Sequence, residues 1–199
     1  VLEDHAHAAQ LVADHFILRG FRNFLFYSDA DNWSYEERGQ GCLAALQHAG
    51  HTAQWLRWHQ SPGYTLGREA WKNKRNWLAR QMRQADKPLA VFAANDQQAM
   101  DVLESCESAG IAVPEQISIV GAENYLLAPD TMRTPISSVD TNLELMGYRG
   151  AELLGQLMAG KSASKTPVRI PAIGVVARKS SDILTIKHKN VAKSLRYLW

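Results

Sequence analysis

The sequence predicts an α/β fold built on a parallel sheet, and three observations predict it. Apolar runs of strand length, such as "FRNFLFY" and "PLAVFAA", show little polar alternation, as strands buried on both faces do. Between them lie segments whose apolar residues recur at the 3.6-residue helical period. Strand-like and helix-like segments then alternate along the chain, which is the pattern of right-handed βα units.

The opening "VLEDHAHAAQLVADHFILRG" reads as a strand end followed by a helix. Ala9, Val12, Ala13, Phe16 and Ile17 form the apolar side of that helix, and Gly20 lies past its C-terminus. "FRNFLFYSD" is a strand, and Ser28 to Asn32 a polar loop leading to Trp33. A helix from about Tyr35 to Ala49 turns Cys42, Leu43, Leu46 and Ala49 inward, and Gly50 stops it. "TAQWLRWH" is the next strand, and "QSPGYTLG" a loop marked by Pro62 and Gly63. A helix is predicted over 68–84, basic outside, with Trp71, Leu78 and Met82 inward. "KPLAVFAAND", "QQAMDVLESCESAG" and "QISIVGAEN" follow as strand, helix and strand, and "YLLAPDTMRTP" as a turn. Asp140 or Thr141 is expected to cap a helix over 142–158 whose buried side carries Met146, Leu153, Leu154 and Leu157. "KSASKTP" is a polar linker, and "VRIPAIGVVARKSSD" holds one or two strands. "KHKNVAKSLRYLW" opens a further helix with Val191, Leu195 and Leu198 as its apolar stripe. A chain that opens at a strand end and closes in a helix reads as a piece of a longer protein.

Composition narrows the function classes. Of 199 residues, 46 % are hydrophobic and 21 % charged, a globular balance. A net charge of +2 without a basic stretch does not point to nucleic acid as a direct partner. Cys42 and Cys106 both fall on apolar helix faces and read as reduced core thiols. No apolar run approaches the roughly 20 residues needed to cross a bilayer, and no signal segment opens the chain, so a cytoplasmic location and no membrane partner are expected. His5 and His7, spaced i,i+2, do not share a helix face and make a poor metal motif. Neither a Gly-rich phosphate loop nor a G-x-S-x-G elbow is present. No catalytic residue, metal or cofactor is assigned.

In a parallel sheet, ligands bind beyond the carboxyl ends of the strands. Asp29, Asp96 and Glu123 each follow a predicted strand and so face one crevice. Carboxylates accept hydrogen bonds from sugar hydroxyls, and a guanidinium or amide donates to sugar oxygens. Trp33 could stack on the apolar face of a pyranose or serve as a lid or core aromatic. Asp4 and Asp96 could equally cap the helices they open, as could Asn95. Asp29 and Asp31 fit either a solvent loop or the rim of the site.

The run "PLAVFAANDQQAMDVLESCESAGIAVPEQISIVGAEN" resembles the effector-binding domain of the LacI/GalR transcriptional regulators, a periplasmic-binding-protein-like fold of type I. The resemblance rests on Asn95-Asp96, Gly110, Val113-Pro114 and Gly121 followed by Glu123-Asn124. Ser34 to Arg38 with Gly41 is similar to the family's serine and arginine before the second-lobe helix, and "MGYRGAELLGQLMAG" to its return into the first lobe. The tail, "ARKSSD" followed by "VAKSLRYLW", resembles the junction in xylose-operon regulators, where an AraC-type DNA-binding domain follows the sugar-binding domain.

The resemblance implies parallel sheets with helices on both faces, one lobe nearly complete and the other truncated. Residues 1–20 would belong to the first lobe, 21–129 to the second and 130–183 to a return into the first. Residues 184–199 would be a linker and the start of the DNA-binding domain. It implies a sensor, not an enzyme, taking a small sugar effector, D-xylose foremost, in the interlobe cleft. Asp4, Arg38, Asp96 and Glu123 would be cleft residues, with Trp33 as a stacking ring and Asp29, Asn95 and Asn124 nearby. Glu123 stands where the family commonly has aspartate, and its longer arm suits a smaller sugar. The full-length protein would be a homodimer that meets DNA through a domain absent from this chain. The alternatives are an α/β enzyme acting on sugars or phosphosugars, and a transport-type sugar-binding protein.

Overall fold

The computed structural model describes residues 1–124, 133–162 and 165–185. Strand β1 (Leu2–Glu3) leads into helix α1 (His5–Leu18), followed by β2 (Asn23–Ser28), α2 (Trp33–His48) and β3 (Ala53–Arg57). A short 3-10 turn over Trp58–Gln60 precedes α3 (Ala70–Gln84). Then come β4 (Leu89–Ala93), α4 (Asp96–Ser108), β5 (Ile117–Ala122), β6 (Ser137–Asp140), α5 (Leu143–Met158), β7 (Arg169–Ile170) and β8 (Gly174–Val176).

Among these residues the main sheet has six strands in the order β3-β2-β4-β5-β6-β8. All its pairings are parallel except β6–β8, which is antiparallel. A separate pair, β1 with β7, is also parallel. The chain reverses direction across the sheet between β2 and β4, so the crevice at their carboxyl ends is the natural ligand site.

Why the central strands read as unbroken apolar runs is visible in their side chains. Successive residues point to opposite faces, and both faces are covered. Phe24, Phe26, Phe92, Val120 and Ala122 meet Ala9, Val12, Phe16, Cys42 and Leu46 of α1 and α2. Leu25, Val91, Ile117 and Ile119 meet Leu78, Met82, Val102, Leu103 and Cys106 of α3 and α4. Both cysteines are buried and free, and burial pushes each thiol up to about 12. Gly39 lets α2 lie close on the sheet, because a Cβ there would run into the rings of Trp55 and Phe26.

Several expectations need correction. Helix α2 begins at Trp33 rather than near Tyr35, because the Asn32 side chain accepts from the Ser34 amide and caps it. Trp71 is not inward. It is 53 % exposed in the first turn of α3, with Lys72 and Arg75 at its ring. The expected buried side of α5 is also open, since α5 has no buried residue and Leu154 is 58 % exposed. Its capping differs too: Asn142 precedes the helix at φ +61 without a side-chain cap bond, while Asp140 Oδ1 accepts from the Asn142 amide. Strands β6 and β8 form one edge of the six-stranded sheet. Residues 125–132 of the turn expected over 125–135, and the helix expected at Val191, Leu195 and Leu198, lie outside the described residues.

Candidate ligand-binding site

Four segments bring polar side chains together at the carboxyl ends of the strands. The β1–α1 junction carries Glu3, Asp4 and His5. Helix α2 carries Trp33, Tyr35 and Arg38. The β4–α4 junction carries Asn95 and Asp96, and the end of β5 carries Glu123 and Asn124.

Arg38 is the centre. As a helix residue taken alone it would read as solvent-facing, yet it is 1 % exposed. Its Nη2 donates to Glu3 Oε2 at 2.6 Å and lies 3.3 Å from His5 Nδ1. Its Nη1 donates to the Ala94 carbonyl and lies 3.9 Å from Glu123 Oε1. A buried charge survives only when paired and hydrogen-bonded, and Arg38 is both. Its Nε and His5 Nε2 are buried and have no hydrogen-bond partner among the described residues. Burial, then the neighbouring Arg38 charge, lower the His5 pKa and favour the neutral ring.

Asp96 opens α4 and is buried. Its Oδ1 accepts from Ser138 Oγ at 2.5 Å. The carboxylate packs over Gly121, where a Cβ would collide with Asp96 and lie 3.2 Å from Ala99 Cβ. That close approach explains why a glycine precedes the acidic residue at the end of β5. Asn95 is the helix cap: its Oδ1 accepts from the Gln98 amide at 2.9 Å, and its Nδ2 donates to Tyr35 Oη at 3.0 Å. Burial raises the Tyr35 pKa, keeping the phenol neutral.

Glu123 and Asn124 both lie at positive φ, +94 and +52. Non-glycine residues rarely hold this conformation, and such strain clusters at binding sites. Burial raises the Glu123 pKa, Arg38 opposes the rise, and Glu3 and Asp96 add to it. Asn124 is tied into the fold: its Nδ2 donates to Asp140 Oδ2 at 3.2 Å and its Oδ1 accepts from Arg178 at 2.9 Å.

The remaining predicted residues sit at the rim. Asp4 caps α1, its Oδ1 accepting from the His7 amide at 3.0 Å. Trp33 is 57 % exposed and meets the His5 ring edge-on at 5.7 Å. Asp29 pairs with Lys74 at 3.2 Å, and Lys74 also holds Asp101 at 2.6 Å. Asp31 is exposed. Glu3, His5 and Tyr35 were missed from sequence. For Glu3 the available signal was its place beside Asp4 at a strand end. Among the described residues, no group of three or more His, Cys, Asp or Glu could hold a metal ion, and no helix is long and apolar enough to cross a membrane.

Residues 13–181 match the periplasmic binding protein-like domain family. The chain belongs to that family. It is 27 % identical over 202 residues to the xylose operon regulatory protein of Haemophilus influenzae, covering all of this chain and 51 % of that protein. The chain thus spans about half the length of the curated relatives it matches. Among solved structures, a xylose-binding transcription activator superposes with a TM-score of 0.81 at 23 % identity, over 98 % of this chain and 51 % of that one. A periplasmic binding protein/LacI transcriptional regulator from Alkaliphilus metalliredigens, complexed with D-xylulofuranose, gives 0.69 at 17 % identity, over 90 % and 64 %. The α/β periplasmic-binding-protein-like fold read from the sequence is thereby shown.

Proposed function

We propose that this chain is the ligand-sensing part of a LacI/GalR-type transcriptional regulator that binds a small neutral sugar, D-xylose foremost. The observation that carries this reading is the convergence of Asp96 and Glu123 with the buried Arg38 at the carboxyl ends of a parallel sheet. Carboxylates accept from sugar hydroxyls, and among the described residues the buried Nε of Arg38 and Nε2 of His5 are donors without a partner, which a sugar oxygen reaching them would satisfy. The similarity to a xylose operon regulatory protein and to a xylose-binding transcription activator points to the same effector.

Sugar binding would favour one arrangement of the lobes over another by its differential affinity for the two. The shift would be relayed, in a homodimer, to a DNA-binding domain. The AraC-type identity suggested for that domain rests on residues 191–199, outside the described residues.

The test is calorimetric titration of the full-length protein with D-xylose, D-ribose, L-arabinose, D-glucose and D-fructose. Saturable binding of one pentose supports the reading, and silence from all five sugars removes it. In Glu123→Ala, loss of a charge-assisted hydrogen bond should weaken that sugar by about 10- to 100-fold. Unchanged affinity would place Glu123 outside the site.

A further inference from the structure

Glu3 occupies the group that would otherwise attract anions. The planar guanidinium fork takes carboxylates and phosphates through two parallel hydrogen bonds. In Arg38 both terminal nitrogens are already engaged, Nη2 by Glu3 at 2.6 Å and Nη1 by the Ala94 carbonyl. Glu3 itself is only 13 % exposed, so this pair is little screened by solvent.

The charges around the fork are lopsided. Glu3, Asp96 and Glu123 supply three carboxyl groups against the one guanidinium of Arg38. Arg169, whose Nη1 approaches the Glu3 carbonyl at 3.4 Å, spends its charge on Glu37 through contacts of 2.8 and 3.0 Å. Lys74 is held between Asp29 and Asp101. His5 favours its neutral form.

We propose that Glu3 is the charge-selectivity residue of this cleft: by occupying Arg38 it admits neutral sugars and turns away their anionic counterparts, such as aldonates. This rests on the sugar-sensor reading above and adds to it a residue and a discrimination. A carboxylate on the ligand would enter a site already rich in carboxyl groups, with no free fork to receive it. The neutral sugar, a cyclic hemiacetal without a carboxylate, meets no such repulsion.

The experiment titrates the full-length protein with three matched pairs: D-xylose and D-xylonate, L-arabinose and L-arabinonate, D-glucose and D-gluconate. For the sugar that binds, its aldonate should bind at least about 100-fold more weakly. In Glu3→Gln the amide still accepts from Arg38 but no longer cancels its charge, and the gap should narrow by about 10-fold or more. Glu3→Asp retains the charge and should keep most of the gap.

An aldonate that binds wild-type protein as tightly as its sugar overturns the proposal while leaving the sugar cleft standing, and needs no variant to be read. A gap unchanged in a folded Glu3→Gln protein overturns it as well. If no member of any pair binds, the sugar reading falls and the selector falls with it.

Discussion

Strand β5 is held on its two sides by different chemistry. Toward β4 the seam is apolar: Phe92, Val91, Ile119 and Val120 lie between helices on both faces, all at most 1 % exposed. Toward β6 and the segment after β8 the seam is made of hydroxyls. Ser118, Ser137, Ser138, Ser180 and Ser181 are all fully buried. Ser180 takes over the edge of β5 that β6 does not reach. Its carbonyl accepts from the Ile119 amide at 2.8 Å, and its Oγ donates to the Ile119 carbonyl at 2.6 Å and accepts from the Ser137 amide at 2.8 Å. The first seam gains from area removed from water and from close packing. The second gains only while every polar group is matched, because a buried group left without a partner costs more than a satisfied one contributes.

The largest effect should come from the apolar seam. Phe92 contacts Phe26 at 5.4 Å between ring centroids and fills the layer under α1 and α2. Phe92→Ala should cost about 3–5 kcal/mol, the sum of lost transfer energy and a cavity that cannot collapse. Urea unfolding of the full-length protein measures this. A cost near 1 kcal/mol would mean the seam relaxes freely and the contrast with the hydroxyl side is overdrawn.

Ser180→Ala is the matching probe of the other seam. It strands the Ser137 amide and removes one donor from the Ile119 carbonyl, so a loss of about 1–3 kcal/mol is expected. Replacing Ser180 by cysteine, with a weaker donor of similar shape, should recover little. If alanine is neutral, the hydroxyl network is dispensable and β5 is held on that side by its backbone ladder alone.

The two seams were not equally legible in the sequence. Ala9, Val12, Phe16, Leu46, Leu78 and Met82 could be placed inward because helical periodicity is local, and their burial follows it. The serines of "ISSVD" and "ARKSSD" carry no local sign of burial, because the pairing that buries them joins residues more than forty positions apart. Periodicity also misplaced Trp71 and the apolar side of α5. It says which residues share a face, not whether anything packs there. At the cleft, the strand-end carboxylates Asp96 and Glu123 followed from the alternation of elements, whereas Arg38 was singled out only by resemblance. Glu3 was passed over although it adjoins Asp4, since nothing local tells which of two neighbouring carboxylates will meet a buried guanidinium.

The hydroxyl seam also makes a pH-dependent prediction through His15. Its Nε2 lies 2.9 Å from Ser181 Oγ, and Ser181 Oγ in turn donates to Ser137 Oγ at 2.7 Å. The Ser181 hydroxyl thus spends its proton on Ser137 and accepts from His15, which is neutral with its proton on Nε2. Burial first, and the Arg19 charge second, lower the His15 pKa from 6.5 to about 3. The folded value lies below the unfolded one, so between these limits the unfolded chain binds more protons than the folded chain. The contribution is fully present above the unfolded pKa and is lost as pH falls toward the folded one, at up to about 1.4 kcal/mol per pH unit. His15→Gln keeps a side-chain donor for Ser181 and cannot titrate. Urea midpoints measured from pH 7 down to pH 4 should therefore fall less steeply in the variant, leaving whatever slope His5 and the carboxyl groups supply. Parallel slopes would mean that His15 reaches water before the fold is lost, and that the hydroxyl seam opens locally where the apolar seam cannot.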